Sequence, residues 1–201
     1  MQRNAKAIFF YMKKLFFIGI LSVLSLCATF AQVRFGVTAG LNASSFTGDV
    51  SDAKFKAGFQ AGVLADLGIS ENFSIIPELL FSQRGYKYDM GSESVSTTLN
   101  YLQLPVNIAV KFDVGYGSKL FIFGGPYIGY GISANEVKFG SNNDEIKPLD
   151  FGVNVGLGYQ FERVFFKLQF NPGLTNMMNE NTGNNVTKNT NVAVTAGYFF
   201  N

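Results

Sequence analysis

The chain has 201 residues, 47% of them hydrophobic, with 16 Lys and Arg against 14 Asp and Glu, no histidine and a single cysteine. That near-balance of charge gives a nucleic-acid partner no electrostatic support. With no imidazole and only Cys27 as a thiol, disulfides, Cys or His metal sites and nucleophilic mechanisms built on His or Cys are excluded.

Residues 1–31 contain no acid, and Arg3, Lys6, Lys13 and Lys14 precede an apolar run from Leu15 to Leu26. Ala28-Thr29-Phe30-Ala31 follows, ahead of Gln32. This is the pattern of a secretion signal over 1–31, cleaved near Ala31/Gln32, and the run is too short for the roughly twenty residues of a spanning helix. Met12-Lys13-Lys14-Leu15 is an ordinary beginning for such a signal, which opens the alternative that 1–11 come from an upstream start codon. Cys27 lies inside the signal after Leu26, where lipid attachment wants a small residue, so lipidation is not expected. Four basic residues leave with the signal, so the mature chain carries 12 basic and 14 acidic groups, about −2 in net charge. Residues 32–201 form one domain, undivided by any Pro-rich or low-complexity linker.

In that domain Val33, Phe35, Val37, Ala39 and Leu41 alternate with Arg34, Gly36, Thr38, Gly40 and Asn42, the period of a strand. The same alternation predicts a second strand over 55–67, a third over 73–84, a fourth over 99–112 and a fifth over 119–132. The sixth spans 149–161, the seventh 164–174 and the eighth 191–200. Connections 68–72, 113–118 and 162–163 are short, whereas 43–54, 85–98, 133–148 and 175–190 are long and rich in Ser, Asn, Asp and Gly. This layout predicts an all-β, eight-stranded, antiparallel up-and-down transmembrane barrel of a Gram-negative outer membrane. Its short turns and both termini face the periplasm, and its long loops face out of the cell.

A secreted, soluble, lipocalin-like barrel binding a small apolar ligand would also alternate, with its large apolar side chains inside. Glycine separates the two readings. Gly36, Gly40, Gly58, Gly62, Gly125, Gly129, Gly152, Gly156, Gly158 and Gly197 all share the polar face, where a water-facing surface has no use for residues that weaken strands. In a narrow lumen they make room for Lys56, Arg84, Tyr101, Lys111, Tyr127 and Lys167. The apolar face is then outside, against lipid, and the lumen is expected to be filled with polar side chains.

The expected lumen network comprises Lys56, Asp66, Glu78, Arg84, Lys111, Asp150 and Lys167, charges that a packed interior must pair or hydrate. It reads as a structural plug in preference to an ion path, because eight strands leave a bore only wide enough for side chains. A general porin role is not expected. Tyr88, Tyr130, Tyr159 and Tyr198, near strand ends, are candidates for an interfacial aromatic girdle. Pro77 and Pro105 each remove a ladder donor and predict a bulge or bend. No catalytic, cofactor or metal site is expected, since a Ser or carboxylate hydrolase without His would need an unusual base.

The motifs Pro77-Glu78-Leu79-Leu80-Phe81-Ser82-Gln83-Arg84-Gly85 and Tyr101-Leu102-Gln103-Leu104-Pro105 add a family likeness. With Gly124-Gly125-Pro126-Tyr127-Ile128-Gly129-Tyr130, Asp150-Phe151-Gly152, Gly156-Leu157-Gly158-Tyr159 and Gly197-Tyr198-Phe199-Phe200 they span the mature chain. In their order and spacing the chain resembles the outer membrane beta-barrel domain proteins of Bacteroidota, the group that includes PorT-like proteins. The resemblance implies an eight-stranded outer membrane barrel, for most members without a defined activity. It departs at Asn201, where such barrels often end on an aromatic. The partners expected are outer membrane lipid, the barrel assembly machinery during insertion, and a protein at the external loops. A PorT-like accessory role in secretion or adhesion is the alternative to a plain structural or interaction role.

Overall fold

A strand with one apolar and one polar face buries neither unless the sheet closes, and closure also leaves no edge with unpaired backbone groups. The computed structural model, which describes residues 32–48, 54–90, 93–135, 137–140, 146–177 and 187–200, has this form. Its strands are β1 (Gln32–Gly48), β2 (Lys54–Gly68), β3 (Phe73–Met90), β4 (Glu93–Gly115), β5 (Ser118–Ala134), β6 (Leu149–Phe161), β7 (Val164–Pro172) and β8 (Thr187–Phe199). Each pairs antiparallel with its sequence neighbours, and β8 returns to β1 to close the barrel.

Several strands run past the predicted ends. Of the segment 85–98, expected as a long loop, residues 85–90 and 93–98 instead pair as extensions of β3 and β4, with Met90 opposite Glu93. Tyr86 on this extension packs against Phe46, with ring centres 4.3 Å apart. The strand β7 ends at Pro172, two residues earlier than expected, where proline has no donor to continue a ladder.

The prolines inside strands do not shift the register. Between β2 and β3 the ladder pairs Leu64 with Glu78 and resumes in step at Leu67 with Ile75, passing over Pro77. Between β3 and β4 it pairs Pro77 with Val106 and resumes in step at Leu80 with Gln103, passing over Pro105. In the register that pairs Pro105 with Tyr127 and Ile108 with Gly124, Val106 falls opposite Pro126. Rungs are lost and the alignment is kept, so the expected bulge is absent at these positions. The shift in this region lies between Phe55 and Gln60 on β2, beside Gly85. There Gly85 has φ 154°, and a Cβ would stand 2.0 Å from the Thr97 carbonyl oxygen. From β1, the Ser44 hydroxyl donates to the Gly85 carbonyl at 3.0 Å and accepts from its N–H at 2.8 Å.

The apolar side chains face outward. Leu41 is 73% exposed and Val194 58%, among a belt that includes Val63, Ile108, Ile122, Val155 and Leu168. A soluble barrel with an apolar interior would reverse this, so that reading is set aside. The lumen, however, is not uniformly polar. Leu64, Ile76, Ala109, Phe121, Phe123, Phe165 and Phe199 form a buried cluster inside it, and Phe46, Leu99, Tyr101, Ile146 and Met177 form a second one.

Glycine makes this packing possible. Phe121, Phe123 and Tyr127 of β5 lie opposite Gly158, Gly156 and Gly152 of β6, and Phe165 of β7 lies opposite Gly197 of β8. A Cβ at those four glycines would come within 2.2, 2.5, 2.5 and 2.1 Å of the facing ring. Each ring thus occupies the space its cross-strand partner leaves empty.

Two expected outcomes follow from this arrangement. Val155→Arg, which places a charge in the lipid-facing belt, is expected to lower stability by about 2–4 kcal/mol if Val155 sits at mid-bilayer, while Val155→Leu is nearly neutral; urea titration in lipid vesicles reads both. Gly197→Ala is expected to cost about 1–3 kcal/mol by overpacking. Adding Phe165→Leu should make the loss less than the sum of the two single changes, a non-additivity the same titration reports.

Candidate functional site

The lumen is built from the inward residues of all eight strands, and its contacts fall into successive layers. At the short-turn mouth, Arg34 and Asp66 are opposite partners on β1 and β2. Arg34 Nη2 lies 2.5 Å from Asp66 Oδ2, and Lys111 Nζ donates to the same oxygen at 2.6 Å. The Arg34 guanidinium also donates to Gln160 Oε1 at 3.2 Å and sits 4.3 Å from the centre of the Phe199 ring.

Next comes the apolar cluster of Leu64, Ile76 and the four phenylalanines. Phe165 and Phe199 meet as tilted rings with centres 4.8 Å apart. The cavity left beside Leu64, Phe121 and Phe165 is about 10 Å³, at the lower limit for one water. This layer closes the bore.

Past that layer, Lys167 Nζ donates to Glu78 Oε1 at 2.7 Å and Oε2 at 2.8 Å, and stands 5.7 Å from the centres of both Phe123 and Phe165. Asn107 donates to Glu78 Oε1 at 3.2 Å and accepts from Asn154, which in turn accepts from Asn171. Of the four cations in the expected network, Lys56, Arg84, Lys111 and Lys167, only Lys167 forms an ion pair with Glu78 among the described residues.

The following layer centres on Arg84, which is 1% exposed. Its Nη1 lies 3.3 Å from Asp150 Oδ2, its Nη2 donates to Gln103 Oε1 at 2.9 Å, and its Nε donates to Ser82 Oγ at 3.3 Å. The Tyr127 hydroxyl donates to the same Asp150 oxygen at 3.2 Å, with the guanidinium 5.3 Å from that ring's centre. Lys56, nearest the long connections, makes no ion pair within the described residues; its Nζ donates to the Thr97 carbonyl at 3.0 Å and to the Thr98 hydroxyl. The second apolar cluster lies near this end, with the Tyr101 and Phe139 ring centres 5.6 Å apart.

Sequence reasoning missed Phe121, Phe123, Phe165 and Phe199 as lumen residues, along with Gln103, Asn107 and Asn171. The signal was parity: Phe121 and Phe123 share a strand face with Lys119 and Gly125. On the outer wall, Tyr130 is exposed toward the long-connection end, and Tyr159 and Tyr198 toward the short-turn end. Exposed Phe73, Phe112, Phe161 and Phe200 stand at that same end, a phenylalanine-rich rim that a tyrosine count overlooks. The Tyr88 side chain lies outside the described residues. Among the described residues no group of three His, Cys, Asp or Glu is placed to hold a metal ion. Among the described residues the lumen pairs charges and fills space.

A family model described as outer membrane protein beta-barrel domain matches residues 30–179. Among solved structures, the fold is similar to that of Neisserial surface protein A, with a TM-score of 0.50 and 13% identity over 82% of this chain and 96% of that one. Outer membrane protein OprG from Pseudomonas aeruginosa gives a TM-score of 0.49 and 13% identity over 83% of this chain and 95% of that one. Ail, the attachment invasion locus protein of Yersinia pestis, gives 0.44 and 14% over 83% and 98%. At such identities the likeness is one of fold. No curated protein matches the sequence.

Removing one partner of a buried ion pair strands the other. Glu78→Leu is expected to destabilise the barrel by about 3–5 kcal/mol, and Glu78→Leu combined with Lys167→Leu to recover most of that loss. Electrophoresis of unheated samples across a urea series separates folded from unfolded barrel and measures both.

Proposed function

The chain belongs to the outer membrane protein beta-barrel domain family and resides in the cell outer membrane, and from that premise we propose that it is a non-catalytic interaction protein working through its ends. The observation that carries this reading is the filled bore: the phenylalanine layer and the buried Glu78–Lys167 and Arg84–Asp150 pairs occupy the lumen, which favours surface contact over transport. The long connections, including the extended β3–β4 hairpin, face out of the cell, and the short turns face the periplasm. Residues 1–31 are the signal that delivers the chain to the periplasm, and the barrel assembly machinery inserts it.

A more specific role draws on the Bacteroidota, PorT-like resemblance. In it the partner is a component of a secretion or adhesion assembly, and the barrel serves as an accessory part. The Pro77–Gly85 and Tyr101–Pro105 motifs support this relationship.

Orientation is testable because the chain without its signal has no thiol. Lys87→Cys, exposed on the β3–β4 hairpin, is expected to react with a membrane-impermeant maleimide on whole cells. Ser70→Cys, in the β2–β3 turn, is expected to react only after permeabilisation. The reverse pattern rejects the orientation, and recovery of the protein in the soluble fraction rejects the membrane role. A cross-linker carried on the cysteine at 87 then reports whether a larger complex is bound there.

A further inference from the structure

The mouth at the short-turn end carries a feature that packing does not explain. It is a cavity of about 440 Å³, within the range that holds small ligands, and its charged lining is Arg34, Lys111 and Lys119 against Asp66, Glu71 and Asp113. Equal numbers of each sign give a net anion no overall attraction. The charges are, however, sorted by depth. Lys111 is buried and Arg34 half-buried at the floor, where both bind one oxygen of Asp66, while Glu71 and Asp113 are exposed at the rim. The floor therefore carries two cations on one carboxylate and the rim two carboxylates, with Lys119 half-buried beside them.

Asp66 makes this a formed site. It is 1% exposed, and its Oδ2 takes both cations, which holds Arg34 and Lys111 side by side at the floor. Among the described residues Arg34 uses only Nη2 toward protein acceptors and the Lys111 ammonium contacts only Asp66, so donors for an incoming oxyanion remain at the floor.

We infer that this mouth binds a small zwitterion, a short peptide with both ends free, with its carboxylate on Arg34 and Lys111 and its ammonium at Glu71 and Asp113. The charge order matches a net-neutral, dipolar ligand entering anion first. This site does not depend on what the opposite end of the barrel contacts. On the orientation proposed above it opens to the periplasm.

The test is calorimetric titration of the detergent-solubilised protein, extracted folded from outer membranes, with tri-alanine bearing free ends. Amidated tri-alanine, N-acetylated tri-alanine and acetate are the comparison ligands. Tri-alanine is expected to bind, with C-terminal amidation weakening it about tenfold or more, since it removes a charge-assisted contact. Acetylation is expected to weaken it about threefold, as for an exposed charge pair. Because changes at Arg34, Asp66 or Lys111 threaten the fold, the variants sit at the rim: Asp113→Asn and Glu71→Gln should each weaken tri-alanine binding while leaving the heat-dependent gel shift intact. Equal binding of free and amidated peptide, binding of acetate as tight as that of tri-alanine, or no heat from any ligand would overturn the assignment.

Discussion

Everything inside this protein depends on the fixed bore of an eight-stranded cylinder. Backbone pairing sets the circumference, and the side chains inside must fit whatever cross-section results. A ring entering that space needs its neighbour to give way, and β5, β6, β7 and β8 meet the demand by setting Phe121, Phe123, Tyr127 and Phe165 against Gly158, Gly156, Gly152 and Gly197. The glycines that weaken a strand in isolation are what allow the closed sheet to be filled.

Filling also determines where charge can sit. Glu78 and Lys167 face each other directly past the phenylalanine layer, and Arg84 meets Asp150 with Ser82, Gln103 and Tyr127 completing its contacts. Each cation in these layers has its own carboxylate. At the mouth the ratio changes, because Arg34 and Lys111 share Asp66. The interior is thus locally neutral where it is packed and unevenly charged where it opens, which moves any chemistry of recognition from the lumen to its ends.

The period-two alternation and the glycines on one face made the barrel and its inside-out sense legible from the chain alone. Strand ends were less so, because the Ser, Thr, Gly and charged residues of 85–98 compose like a loop although Tyr86 to Met90 and Glu93 to Thr98 pair in the ladder. Parity puts Lys56, Asp66, Glu78, Arg84, Lys111, Asp150 and Lys167 on the polar face, but the expected network left out Arg34, which shares Asp66 with Lys111, and carried no partnerships. Asp66 and Lys111 lie on β2 and β4, one strand apart, and Glu78 and Lys167 on β3 and β7, across the bore, so neither pair is a ladder neighbour and strand alternation carries no distance information for them. The inward phenylalanines were hidden for a simpler reason: hydrophobicity alone assigns them to lipid, and only their shared face with lysine and glycine places them inside.

The wall is not uniform around its circumference. Pro77, Val106 and Pro126 stand at one level on β3, β4 and β5, with Pro105 beside them, and in that arc the register runs on while amide donors are missing. Hoop stiffness in a barrel comes from its rungs, so this quarter of the cylinder is its compliant side. Under lateral pressure from the bilayer the cross-section should become oval along that axis first, with strain relieved next to Glu78 and Asn107 and the glycine-packed half from β5 to β8 keeping its shape.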